Sequence, residues 1–202
     1  NRAHATFIMK LDGKAFTVSL QMPGKHMVDN AYAVAVIAYG LGVSGDQIVS
    51  VLSNHHAASG RMQRYLHPQS RAHIIDDSYN ANPRAMEAAI ASLGAMECTH
   101  KILVCGDMAE LGSQAPLMHR QVGEHAVRSG IEDLLSVGTL SRHASEIFGG
   151  KHFDTFEELI VYLEALNNTE QVTFLVKGSR SSAMERIAEY LDGRGQQNAS
   201  LD

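Results

Sequence analysis

His73-Ile74-Ile75-Asp76-Asp77-Ser78-Tyr79-Asn80-Ala81-Asn82-Pro83 packs a strand, a polar loop and a helix start into one short stretch. The apolar run at 73–77 has the length of a buried strand. Asn82 is a good N-cap and Pro83 fits the first helical position. Met86, Ala89, Ile90, Leu93 and Met96 then recur at helical spacing, which predicts a helix over 83–96. Capping does not explain two adjacent acids at the end of an apolar strand. One of them is expected to accept hydrogen bonds from neighbouring backbone. The other is left to bind ribose hydroxyls or steady a cation, and Asp77 is the better candidate of the two. The loop reads as part of an enzyme's binding site in an α/β protein.

Downstream the same unit repeats. Strands over 101–106, 133–137, 151–154 and 171–176 alternate with helices over 116–129, 141–148, 155–167 and 182–192. Thr155 with Glu158 and Ser182 with Glu185 have the spacing of capping boxes. Short apolar strands alternating with helices predict βαβ units and a mostly parallel sheet, a doubly wound, Rossmann-like domain over 73–202. The tail from Gly193 onward is polar and is expected to fray.

Upstream, residues 5–11 and 14–22 alternate in polarity around Asp12-Gly13, a hairpin signal. The first strand starts almost at residue 1, and a lone hairpin is marginal in water, so the chain reads as cut from something longer. A helix is predicted from His26 to about Tyr39, after Pro23-Gly24. Ser44 with Gln47 forms a capping box for a second helix through Leu52. Residues 54–72 are polar, with Gly60 and Pro68, and read as a linker, which puts a domain boundary near residue 72.

The chain has 202 residues, 45% of them apolar and 19% charged, with formal net charge −5. That balance gives no general electrostatic reason to bind nucleic acid or an anionic membrane. No apolar run reaches the roughly 18 residues of a spanning helix, and no signal segment opens the chain, so the expected location is the cytoplasm. Cys98 and Cys105 read as reduced thiols. The eleven histidines are scattered without ligand spacing, so no metal site is expected among them and most are expected at the surface.

In open parallel sheets ligands bind beyond the carboxyl ends of the strands. Two further polar loops follow strands there, 106–112 (GDMAELG) and 177–182 (KGSRSS). In the latter, Lys177 and Arg180 flank Gly178-Ser179 ahead of a predicted helix, a setting that favours an anion, and Gly178 would let a ligand come close. Asp107 and Glu110 of the former are weaker candidates that solvated acids would also explain. Nowhere does GxxxxGK followed by Ser or Thr occur, and no GxGxxG opens a helix, so a phosphate cradle for nucleotide would lie elsewhere.

DDSYNANP at 76–83, GDMAELG at 106–112 and LVKGSRS at 175–181, with a helix near AMER, together closely resemble the C-terminal domain of the Mur ligases. Within that family they resemble the branch that joins D-alanyl-D-alanine to UDP-N-acetylmuramoyl-tripeptide in peptidoglycan precursor synthesis. PGKHMVDNAYAV at 23–34 and SGRM at 59–62 resemble the family's central ATP-binding domain, of which residues 1–72 would be the partial C-terminal end. Met27 departs from the usual Asn after His26.

The resemblance implies an ATP- and Mg²⁺-dependent amide ligase working through an acyl phosphate, a monomer with metal ligands and phosphate loop outside this chain, so that these residues alone are inactive. It implies that Asn30 contacts adenine, Arg61 the ATP phosphates and Asp77 the ribose. Lys177, Ser179 and Arg180 would lie near D-alanyl-D-alanine or the acyl phosphate, with Lys177 and Arg61 catalytic. Tyr79, Asn80 and Asn82 would line the same cleft, and domain closure would bring Asp77 and Lys177 to the nucleotide. A ligase of the same superfamily adding glutamate or another amino acid, or a non-catalytic binding module, are the alternatives.

Overall fold

The computed structural model describes residues 5–21, 25–55, 59–67, 70–166 and 172–193. Pro23-Gly24 and the tail beyond Gly193 lie outside them. The chain forms two compact units, 1–58 and 59–202.

In the first unit, β1 (Ala5–Leu11) and β2 (Lys14–Leu20) pair antiparallel, with Leu11 opposite Lys14. Asp12 and Gly13 both take positive φ, 47° and 75°, the backbone that a two-residue hairpin turn requires. Alternation buries Met9, Leu11, Val18 and Leu20 against Ala31 and Ala35 of α1 (Lys25–Gly40) and Ile48 and Leu52 of α2 (Gly45–Asn54). Met27 packs on this core, so an apolar side chain serves packing at that position. The Ser44–Gln47 capping box is formed in both directions.

The second unit contains a six-stranded sheet in the order β3-β4-β8-β5-β6-β7. Its strands are β3 (Gln63–Leu66), β4 (His73–Asp77), β5 (His100–Cys105), β6 (Asp133–Val137), β7 (Lys151–Phe153) and β8 (Val172–Lys177). All neighbours run parallel except β3, which is antiparallel to β4. β8 is buried along its whole length, as a central strand covered on both faces must be.

One face packs Ile75, Leu103 and Leu175 under α3 (Pro83–Gly94), α4 (Ala115–Arg128) and α5 (Arg142–Phe148). The other packs Ile74, Ile102, Phe174 and Val176 under α6 (Phe156–Leu166) and α7 (Glu185–Leu191). Full burial of a side chain such as Phe174 contributes about 2–3 kcal/mol. Both cysteines are free, and burial pushes the Cys105 thiol up to about 12. Among the described residues no helix is long and apolar enough to cross a membrane.

The fold differs from the expectation chiefly around 63–66 and at the last helix. Residues 63–66, expected as linker, form the edge strand β3, with Gln63 opposite Asp76 and Leu66 opposite His73. The units therefore divide between Ala58 and Ser59 rather than near residue 72. An edge strand with one wet face carries little apolar signal, which is why it reads as loop. The last helix starts at Glu185 rather than 182, after a 3-10 turn at Arg180–Ser182. The Ser182 hydroxyl donates to the carbonyls of Asp107 and Ser179, so it does not cap a helix, and Ala183 at φ 48° interrupts helical geometry.

Candidate active site

β4 leads into α3 on one face and β8 into α7 on the other, so the loops leaving these adjacent strands part at their carboxyl ends. This is where doubly wound sheets bind ligands. Asp77 and Lys177 are register partners at that point. Lys177 is almost fully buried, its side chain 3% exposed against 15% for Asp77. Its Nζ donates to Asp77 Oδ2 at 2.5 Å, to the Asn80 carbonyl at 2.9 Å and to the Asp77 carbonyl at 3.4 Å. Burial pushes the Asp77 carboxyl above its ordinary range. The Lys177 charge, its hydrogen bond and the Met62 amide pull the other way.

Besides Lys177, Asp77 holds a second partner, because its Oδ1 accepts the Met62 N–H at 3.1 Å. That bond draws 60–62 onto the strand end. Tyr79 N–H donates to the Gly60 carbonyl at 2.9 Å, and Gly60 sits at φ +70° where a Cβ would lie 2.8 Å from Tyr79 N. Arg61, exposed, places its guanidinium 4.3 Å from the Tyr79 ring centroid. The Arg180 guanidinium lies 6.0 Å from the same ring and 3.5 Å from Glu185. Arg61, Asp77, Tyr79, Asn80, Lys177 and Arg180 thus gather at one sheet edge.

Other candidates have local duties. Asp76 is buried and its Oδ1 accepts Ser78 N–H at 3.1 Å and Ser78 Oγ–H at 2.6 Å. Asn82 caps α3 by accepting Ala85 N–H at 2.9 Å, and Asn80 Oδ1 accepts Ala81 N–H. Ser179 is buried among the hydroxyls of Ser181 and Ser182. Gly178 faces Met184, whose Cγ would lie 2.5 Å from an added Cβ, so packing rather than ligand approach excludes a side chain there. With a 3-10 turn and a seven-residue helix after it, that loop offers no extended helix N-terminus to an anion. Asn30 is exposed on α1 in the first unit.

Asp107 is a hub instead of a solvated acid. Its carboxylate accepts the amides of Thr139, Leu140 and Ser141 at 3.1, 3.0 and 2.7 Å, and its carbonyl accepts Ser179 N–H and Ser182 Oγ–H. Glu110 is exposed at φ 62°. Sequence reasoning did not single out His119, which is buried although most of the histidines were expected at the surface. It accepts Met108 N–H at Nε2 and donates from Nδ1 to the Ala115 carbonyl. The signal was available, since Ala115, His119, Val122 and Ala126 form one buried helical stripe. Burial lowers the affinity of His119 for a proton.

The family description "Mur ligase, glutamate ligase domain" matches residues 60–180. Over 196 residues the chain is 40% identical to the UDP-N-acetylmuramoyl-tripeptide--D-alanyl-D-alanine ligase of Escherichia coli K12, covering 96% of this chain and 43% of that protein. It is 30% identical to the enzyme of the same name from Haemophilus influenzae, covering 91% of this chain and 41% of that protein. The solved structure of MurF from Acinetobacter baumannii superposes with TM-score 0.86 at 32% identity, over 95% of this chain and 43% of that one. The chain therefore spans about two fifths of the length of the curated relatives it matches. On the family match and on these identities, the chain belongs to the Mur ligase family.

Proposed function

We propose that this chain is the C-terminal part of an ATP-dependent amide ligase that joins D-alanyl-D-alanine to UDP-N-acetylmuramoyl-tripeptide in the cytoplasm. The observation that carries this is the 40% identity over 96% of the chain to a ligase of that name. The motifs 76–83, 106–112 and 175–181 support it by meeting at the carboxyl edge of one sheet. In this reading residues 1–58 with the loop after them belong to the central ATP-binding domain.

The reaction has two steps. A tripeptide carboxylate oxygen attacks the γ-phosphorus of ATP, releasing ADP and leaving an acyl phosphate. The dipeptide amine then attacks the acyl carbon, loses a proton and expels phosphate as the amide forms. Both steps build negative charge on phosphoryl oxygens, so cations placed there lower the barrier.

Arg61 fits that task, being exposed and, among the described residues, in no ion pair with a carboxylate. Asp77 can still accept a ribose hydroxyl, because a carboxylate has about four acceptor directions and two are taken. Lys177, Ser179 and Arg180 form the dipeptide side, with Arg180 the exposed charge and Lys177 holding the loop at Asn80. Tyr79, Asn80 and Asn82 border it, and Asn30 is assigned to adenine. Mg²⁺ would supply charge neutralisation at the phosphates. Among the described residues no three His, Cys, Asp or Glu side chains cluster as its ligands.

Asp77→Ala and Lys177→Ala in the complete protein test the reading. Turnover is expected to fall at least tenfold in each. Unchanged turnover in both would favour a binding module that takes no part in catalysis.

A further inference from the structure

Arg61 has a long side chain with up to about 2 kcal/mol of rotamer entropy to lose when it is fixed. Among the described residues it has no carboxylate partner, yet its guanidinium sits 4.3 Å from the Tyr79 centroid, inside the roughly 6 Å reach of a cation–π contact. The backbone on both sides of it is pinned to the same turn. Gly60, before it, accepts the Tyr79 amide at φ +70°, and Met62, after it, donates to Asp77 at φ 53°.

We propose that Tyr79 is the positioning residue for Arg61, its ring holding the guanidinium on the turn that Asp77 anchors. This rests on the proposed function for the anionic group that Arg61 meets. A ring differs from a carboxylate as a holder in one decisive respect. It fixes the plane of the guanidinium while leaving the full charge and the five N–H donors for an oxyanion. Lys177 shows the contrast: its charge is neutralised by Asp77 and its donors are spent on Asp77 and Asn80. The ring serves Arg61 first, because Arg180 is farther away at 6.0 Å and is drawn to Glu185.

The test uses the complete protein with selectively labelled arginine, comparing wild type, Tyr79→Leu, Tyr79→Phe, Arg61→Ala and the Tyr79→Leu/Arg61→Ala double variant. In wild type the Arg61 Hδ resonance is expected upfield of a free arginine through the ring current. Tyr79→Leu should return it to the free position and lower kcat/KM for ATP about two- to five-fold, with an unchanged unfolding midpoint. Tyr79→Phe should recover the shift and most of the lost rate, and Tyr79→Leu should cost nothing further once Arg61 is Ala. An Arg61 resonance indifferent to Tyr79→Leu, or full multiplication of the two defects in the double variant, overturns the proposal. Absence of dipeptide-dependent turnover in wild type would instead overturn the activity reading, and the resonance would still decide the pairing.

Discussion

Asp77 and Lys177 lie 100 residues apart in sequence, yet they are register partners on adjacent parallel strands and close an ion pair at 2.5 Å. A one-residue slip of β4 on β8 would separate them, so the pair also reads out the register of the sheet centre. It is the point from which the 60–62 and 78–81 segments hang.

Removing one partner should therefore be costly. Lys177→Met leaves Asp77 buried without its cation and strips the Asn80 carbonyl of a donor. A loss of about 3 kcal/mol is expected in urea unfolding, together with lost amide protection over 78–81. A change below about 1 kcal/mol would mean that water satisfies Asp77 in solution.

Gly60→Ala should destabilise more than Gly112→Ala. Both positions have positive φ, 70° and 54°, so each alanine meets the left-handed penalty of about 1–2 kcal/mol. At Gly112 the added carbon meets open space, whereas at Gly60 it lies 2.8 Å from Tyr79 N. Thermal unfolding of the two variants in parallel gives the ranking, and equal losses would show that the 60–62 loop is not seated on the Tyr79 turn.

His119 should make stability depend on mild acid. Neutral His119 accepts Met108 N–H, and burial holds its folded pKa below the ordinary 6.5. The unfolded chain then binds the proton more readily. The contribution is fully present above about 6.5 and is lost as pH falls towards the folded pKa, with a slope of at most ~1.4 kcal/mol per pH unit. His119→Gln keeps an acceptor that does not titrate. Its stability is expected to fall less between pH 7.5 and 5.5 than that of the wild type, and the difference isolates His119 from His67 and His152, which burial also shifts downward. Parallel pH profiles for the two proteins would contradict this role.

Much of the fold is legible in sequence because local signals and burial agree. The Asp12-Gly13 turn, the Asn82-Pro83 start and the apolar β8 each specify their structure from a few neighbouring residues. β3 escapes because pairing with β4, a tertiary event, decides its state. The candidate site is legible in composition and in the expectation that one of the paired acids binds local backbone, but the long-range partners of the other are not. Asp76 closes its own turn at Ser78, a local event, whereas Asp77 joins three segments that only the folded sheet brings together. Asp107 looks like a free acid until the turn after β6 folds onto it.

Supplied with ATP, Mg²⁺, UDP-N-acetylmuramoyl-tripeptide and a mixture of D-alanyl-D-alanine, glutamate and single amino acids, the complete protein should convert the tripeptide to the pentapeptide in one addition of D-alanyl-D-alanine, detected by mass spectrometry with one phosphate released per amide formed. Product that gains a single amino acid or glutamate in place of the dipeptide, or no product under any combination of these substrates, would contradict it.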